Sequence, residues 1–121
     1  MKSIMIVDDS PTMLASIESI LSSDNFSVDA ADSGDAACKK LNGGAKPDLI
    51  ISDVNMPNMN GLEFLQEVRK MPRCRFTPVL MLTTESKQEL RAKAKELGAT
   101  GWIVKPVDRQ KLLQVVNQVL A

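Results

Sequence analysis

Acidic, hydroxyl and amino side chains follow four short apolar runs of this chain: Asp8, Asp9, Asp53, Thr83 and Lys105. If those runs are parallel strands, their carboxyl ends share one edge of a sheet, where ligands of such sheets bind. Three carboxylates and one ammonium group leave two net negative charges, which a divalent cation would neutralise. Mg²⁺ suits such oxygen ligands, with Mn²⁺ and Ca²⁺ as alternatives. A metal, a lysine and a hydroxyl around a carboxylate are the groups used in phosphoryl transfer.

Any one of these residues alone is more often a turn or helix-cap residue, because Asp commonly fills both positions. Four of the five predicted strand ends carry such groups, which makes coincidence a weaker explanation. The pattern therefore predicts one shared site.

The composition excludes several other kinds of chemistry. The chain has no His, so it lacks the imidazole of Ser-His-Asp and Cys-His catalysis and of His-ligated zinc sites, and it cannot be a phosphohistidine donor. Lys and Arg balance Asp and Glu at 15 each, which argues against binding of nucleic acid. Cys38 and Cys74 form no metal or disulfide motif. Without a membrane span or signal peptide, the protein is expected to be soluble and cytoplasmic.

Strand and helix patterns alternate along the chain. Predicted strands are Ile4–Val7, Ser27–Ala30 at an edge, Leu49–Ile51, Val79–Leu82 and Trp102–Val104. The first predicted helix begins at a Ser10 cap, the second covers residues 33–41 and the third covers residues 61–71. The fourth begins at a Ser86–Glu89 capping box and ends at Gly98, and the fifth begins at an Asp108 cap. The alternation predicts an α/β fold in which a doubly wound, five-stranded parallel sheet carries five helices. Residues 1–121 are expected to form one domain without an output domain.

Four segments together resemble the receiver domains of two-component response regulators, especially the stand-alone, CheY-like regulators of chemotaxis. They are Ile4–Ser10, Ile51–Gly61, Val79–Glu85 and Gly101–Pro106, and they occur in the family's order and spacing. The resemblance covers nearly the whole chain. It implies a flavodoxin-like fold with the strand order 2-1-3-4-5.

The resemblance also implies roles for the residues at the strand ends. Asp53 would accept a phosphoryl group from a phosphohistidine on a sensor histidine kinase. Asp9, Asp53 and the backbone carbonyl of Asn55 would hold Mg²⁺, and Asp8 would help through a water molecule. Thr83 and Lys105 would bind phosphoryl oxygens. Such a chain catalyses only its own phosphorylation and dephosphorylation, and is otherwise no enzyme.

Other residues are expected to act in signalling or to have structural roles. The resemblance makes Trp102 the switch residue that responds to Thr83 and alters the surface of helix 4, strand 5 and helix 5. Asn55 and Glu85 would flank the water that removes the phosphoryl group. This predicts that the phosphoryl group on Asp53 has a short lifetime. Two further positions are structural: Pro106, through a cis Lys105–Pro106 bond, and Gly61, which follows Asn60 in a turn signal.

The output remains open at this point. Regulators that bind the flagellar motor usually have Tyr where this chain has Trp102, and an indole cannot reproduce the hydrogen bonds of a phenol. A monomer that binds a motor-switch protein or another target is the first expectation, and a phosphate sink that drains a shared kinase is the second. An aspartate-nucleophile phosphatase would need an acid where the chain has Asn55. A module that binds flavin mononucleotide would meet repulsion from the acidic strand ends, and a degenerate receiver would lack residues that are present here.

Overall fold

The structure is a computed structural model that describes residues 1–84 and 88–121. Its five strands are β1 (Ser3–Val7), β2 (Ser27–Ala31), β3 (Leu49–Asp53), β4 (Val79–Thr83) and β5 (Gly101–Val104). Its α-helices are α1 (Pro11–Ser23), α2 (Gly34–Asn42), α3 (Gly61–Lys70), α4 (Gln88–Glu96) and α5 (Arg109–Leu120), and a 3₁₀ helix spans Pro72–Cys74. None of the helices in the described ranges is long and apolar enough to cross a lipid bilayer.

All strands are parallel and lie in the order β2-β1-β3-β4-β5, which confirms the fold expected from the sequence. Strand β3 is buried at every position, as its continuous apolar run predicts. Strand β2 alternates between exposed and half-buried residues up to Ala31, as expected of an edge strand. The carboxyl ends of the five strands therefore lie along one edge.

The sheet separates two apolar cores. One core packs β-strand side chains against α2, α3 and α4 and includes Phe64, Leu65 and Ala94. The other packs them against α1 and α5 and includes Ile17, Leu21 and Leu112. Helices on both faces cover a parallel sheet from water, which is the doubly wound arrangement that the alternating pattern predicts.

Most helix starts follow the predicted chemistry. Ser10 Oγ accepts a hydrogen bond from the Met13 N–H at 3.2 Å, and Ser33 caps α2 in the same way. Gly98 has a φ of +103° just after α4, as a helix stop requires. Asp108 lies at the N-cap position of α5, but its side chain makes no capping hydrogen bond, so the predicted cap is wrong in its chemistry. The Ser86–Glu89 capping box lies partly outside the described residues and stays a prediction.

Arg69 joins three segments at the amino-terminal end of the sheet. Its Nη1 donates to the carbonyl oxygens of Cys74 (2.9 Å) and Thr77 (2.8 Å), and its Nη2 donates to the carbonyl of Gly98 (2.8 Å). Helix α3, the loop before β4 and the turn before β5 are thereby tied together. Three backbone carbonyl oxygens accept hydrogen bonds from this single guanidinium group.

We expect Arg69→Ala to lower the free energy of unfolding by about 2 kcal/mol, because partly buried carbonyl oxygens would lose a charged donor. Urea denaturation followed by circular dichroism measures the change. Arg73→Ala is the matched control, because Arg73 is exposed, and its effect should stay within about 0.5 kcal/mol. Equal stability of the two variants would contradict a structural role for Arg69.

Candidate functional site

The acidic cluster predicted from the sequence forms at the carboxyl end of the sheet. Asp8 and Asp9 follow β1, and Asp53 is the last residue of β3. One carboxylate oxygen from each lies within 4.8 Å of the others. Asp8 and Asp53 are buried, whereas Asp9 is exposed. Buried carboxylates this close repel one another, so the cluster needs a compensating positive charge.

Lys105 supplies part of that charge. It follows β5, and its Nζ lies 3.0 Å from Asp53 Oδ1 and 3.4 Å from Asp8 Oδ2. Its side chain is only 14% exposed, so the sequence prediction that it points into the site is confirmed in the structure. Burial acts to lower the pKa of Lys105, but the neighbouring carboxylates Asp53 and Asp8 outweigh it and raise the pKa above its usual value.

Asp8 is held in a fixed orientation by its own loop. The Ser10 N–H donates to Asp8 Oδ1 at 2.9 Å. Burial raises the pKa of Asp8, and the negative charge of Asp53 adds to the rise, while the Ser10 hydrogen bond and Lys105 oppose it. Ser10 was predicted only as a helix cap. Its second role could have been read from its position two residues after Asp8, which is the spacing of an Asx turn.

The cluster is chemically suited to a divalent cation. Asp53 Oδ1 is buried, and the cation that faces it among the described residues is Lys105, whose Nζ lies 3.0 Å away. One lysine also leaves the three carboxylates incompletely neutralised. A metal ion with oxygen ligands would neutralise the remaining negative charge of these carboxylates.

We expect Asp8→Asn to stabilise the metal-free protein by about 1 kcal/mol at neutral pH, because it removes a buried charge while its amide oxygen still accepts from Ser10. An Asp whose pKa is raised by folding destabilises the fold above its unfolded pKa of 3.8. The gain should therefore disappear as the pH falls towards that value. Thermal unfolding with chelator at several pH values measures it.

The exposed Asp9 provides the control for that prediction. Asp9→Asn removes the same charge from a solvated position, so it should change metal-free stability less than Asp8→Asn. Equal gains from both variants, or a gain from Asp8→Asn that persists in acid, would contradict an effect of burial.

Thr83 and Trp102 are placed so that a change at one can reach the other. Thr83 is the fully buried last residue of β4, and its carbonyl accepts from the Lys105 N–H at 2.7 Å. Trp102 pairs with Met81 in the sheet, and Thr83 pairs with Val104. Because residues two apart share a face of a strand, Thr83 and Trp102 lie on the face that packs against α4. The indole Nε1 is buried without a hydrogen-bond partner among the described residues.

The remaining predicted site residues surround the cluster. Asn55 is exposed in the loop after β3 and lines a cleft with Asn60 and Leu90. The Lys105–Pro106 peptide bond is cis, as the resemblance implied. Glu85 lies outside the described residues, so its role stays a prediction.

The helix predicted from residue 61 is confirmed, but the turn signal at Asn60–Gly61 corresponds to a helix cap. Gly61 is the first residue of α3, and Asn60 is the N-cap of a capping box with Glu63 rather than part of a simple turn. A Cβ at Gly61 would collide with the carbonyl oxygen of Asp53 and lie 2.7 Å from Val54 Cα. The position needs glycine because α3 begins against the strand end that carries Asp53.

Comparison with known proteins places the whole chain in one family. The family model "Response regulator receiver domain" matches residues 4–117. The chain is 37% identical to the chemotaxis protein CheY of Pseudomonas aeruginosa over 117 residues, covering 96% of this chain and 94% of that protein. It is 33% identical to PilH of the same organism over 121 residues, covering 100% and 99%.

A solved structure supports the same assignment. The chemotaxis protein CheY4 of Vibrio cholerae superimposes with a TM-score of 0.95 at 42% sequence identity, and the match covers 99% of each chain. The acidic cluster, the lysine beside it and the fold agree with these matches. This chain therefore belongs to the receiver domains of the response regulators, which are switched by phosphorylation in two-component signalling.

Proposed function

We propose that this protein is a chemotaxis-type response regulator in which Asp53 accepts a phosphoryl group from a histidine kinase. The observation that carries the proposal is the meeting of three carboxylates within 4.8 Å with Lys105 Nζ 3.0 Å from Asp53. The chemotaxis context is supported by the similarity to the chemotaxis proteins of Pseudomonas aeruginosa and Vibrio cholerae. The chain acts as a signalling switch rather than as an enzyme with an external product.

The residues that would hold Mg²⁺ are Asp8, Asp9, Asp53 and the backbone carbonyl of Asn55. When bound, the ion would supply positive charge that offsets the charge of the three carboxylates and of the incoming phosphoryl oxygens. Mn²⁺ offers the same charge and accepts the same oxygen ligands.

In the transfer step, an Asp53 carboxylate oxygen attacks phosphorus while the bond from phosphorus to the histidine nitrogen of the kinase breaks. Lys105 Nζ is already beside the attacking carboxylate, so it can pair with a phosphoryl oxygen without a large movement. Thr83, at the end of the neighbouring strand, donates its hydroxyl to another phosphoryl oxygen. The histidine leaves as part of the kinase, which matches a chain that has none of its own.

The signal passes from Thr83 to Trp102 on the shared face under α4. An unpartnered buried N–H costs about 1–3 kcal/mol, and the Trp102 indole N–H has no partner among the described residues, so a rotation that brings it to an acceptor would be favourable. When Thr83 moves towards the phosphoryl group, the space next to β4 changes and the indole turns. The partner surface formed by α4, β5 and α5 then changes its shape for a downstream protein such as a motor-switch protein.

Beryllofluoride with Mg²⁺ tests this proposal through the fluorescence of Trp102, the only Trp in a chain without Tyr. Because the additive mimics a phosphoryl group on Asp53, we expect a change in emission intensity that follows its concentration. Asp53→Asn should show no response. A response of equal size in that variant, or none in the native protein, would refute the coupling between Asp53 and Trp102.

A further inference from the structure

A basic and aromatic group of side chains projects from the connection between α3 and β4. Arg73, Arg75 and Phe76 are exposed there, and Phe76 is 89% exposed. Among the described residues, the only other large apolar side chain so exposed is the terminal Met1. These three residues, called here the Arg73–Phe76 patch, lie at the amino-terminal end of β4, opposite the acidic cluster.

The backbone beneath this patch is anchored. Cys74, between the two arginines, is buried, and its N–H donates to the carbonyl of Met71 at 3.0 Å. Arg69 holds the carbonyl oxygens of Cys74 and Thr77. The exposure of Phe76 is therefore built into an ordered turn. A surface group on a fixed backbone loses less conformational entropy on binding than one on a loose loop.

The chain segment that carries the patch has charges of one sign. From residue 68 to residue 84 the chain has four cations and no Asp or Glu. Arg69 donates hydrogen bonds to backbone carbonyls, and Lys70 pairs with Glu67 at 3.0 Å. Arg73 and Arg75 make no ion pair within the described ranges. Arginine and aromatic residues are enriched at the centres of protein interfaces, where each contributes strongly.

We propose that the Arg73–Phe76 patch docks an acidic segment of a partner protein, with Phe76 in an apolar pocket and the guanidinium groups paired with carboxylates. Two free arginines on a chain of zero net charge are too few for nucleic acid. One Phe and two cations would likewise bind an anionic bilayer only weakly. Because the patch and the acidic cluster lie at opposite ends of the sheet, docking operates in both phosphorylation states.

Photo-crosslinking in the native host tests the proposal. The full chain carries p-benzoylphenylalanine in place of Phe76, and the adduct is sequenced by mass spectrometry. We expect one main adduct whose crosslinked partner segment is rich in Asp and Glu. Arg73→Glu with Arg75→Glu in the same chain should lower its yield at least tenfold. Lys2→Glu with Lys39→Glu, which makes the same charge change at exposed positions elsewhere, should leave it unchanged.

A variant that cannot be phosphorylated at Asp53 tests whether docking is independent of phosphorylation. Asp53→Asn should leave the adduct yield unchanged, so a failure of the phosphorylation proposal and a failure of this one can be told apart. The docking proposal is overturned by the absence of a protein adduct, by an adduct that survives the Arg73 and Arg75 reversal, or by an adduct only with a second copy. It is also overturned if the purified protein binds phosphatidylglycerol vesicles or single-stranded DNA through the same arginines.

Discussion

Asp53→Asn is expected to reduce phosphoryl incorporation from acetyl phosphate at least about a hundredfold, because an amide lacks the nucleophilic oxygen of a carboxylate. The neighbouring Asp8 and Asp9 do not replace it. Asp8 is oriented by the Ser10 N–H and Lys105, and Asp9 is exposed after β1. Intact-mass spectrometry after incubation with Mg²⁺ measures the covalent adduct directly.

A conservative change elsewhere serves as the control for Asp53→Asn. Asp24→Asn makes the same chemical change at an exposed residue after α1, and it should leave incorporation at the native level. Adduct formation in Asp53→Asn at the rate of Asp24→Asn would show that another residue is the acceptor. Peptide mapping of the adduct would then identify that residue.

Gly61→Ala is expected to lower the free energy of unfolding by about 3 kcal/mol, the upper range for overpacking. Helix propensity alone would favour Ala, because Gly is the poorer helix former by about 1 kcal/mol. The added Cβ, however, would meet the carbonyl of Asp53 and the Cα of Val54, which are backbone atoms and cannot rotate away. Denaturant unfolding distinguishes the two outcomes by sign.

The same substitution at Gly43 is the matched control. Gly43 ends α2 with a φ of −82°, and a Cβ there would lie 3.2 Å from the nearest atom, the carbonyl oxygen of Lys39. We expect Gly43→Ala to stay within about 1 kcal/mol of the native protein. A stabilised Gly61→Ala would mean that α3 can move away from β3. Because the collision involves the backbone of Asp53, Gly61→Ala should also slow phosphorylation, and native rates would contradict that link.

The elements that position the site could be predicted because their signals are local. Continuous apolar runs mark strands buried on both faces, and Asp8, Asp53 and Lys105 follow such runs directly or within one residue. Parallel pairing then brings these side chains to one edge. The order of the strands was not readable from the runs themselves, since it depends on which strands become neighbours. It came from the resemblance of whole motifs to a family.

Features that depend on several distant segments were not predicted. The contacts of Arg69 require the loops at residues 74–77 and at Gly98 to meet, and no local pattern encodes that meeting. Gly61 follows Asn60 in a common turn signal, but the contact that requires glycine comes from β3. Asp108 illustrates the reverse case, because a residue type suited to capping occupies the right position without making the hydrogen bond.

The hydrogen bonds of Arg69 also determine which part of β5 can move when the acidic cluster changes. They fix the carbonyl of Gly98, three residues before β5, to α3 and the loop before β4. The Gly98 end of β5 is therefore held away from the site by Arg69, whereas Lys105, at the other end, contacts the acidic cluster itself. Displacements should grow along the strand from Gly98 towards Lys105. A partner bound at the Arg73–Phe76 patch would lie near the end of β5 that Arg69 holds, so it would stay bound while the contacts of Lys105 change.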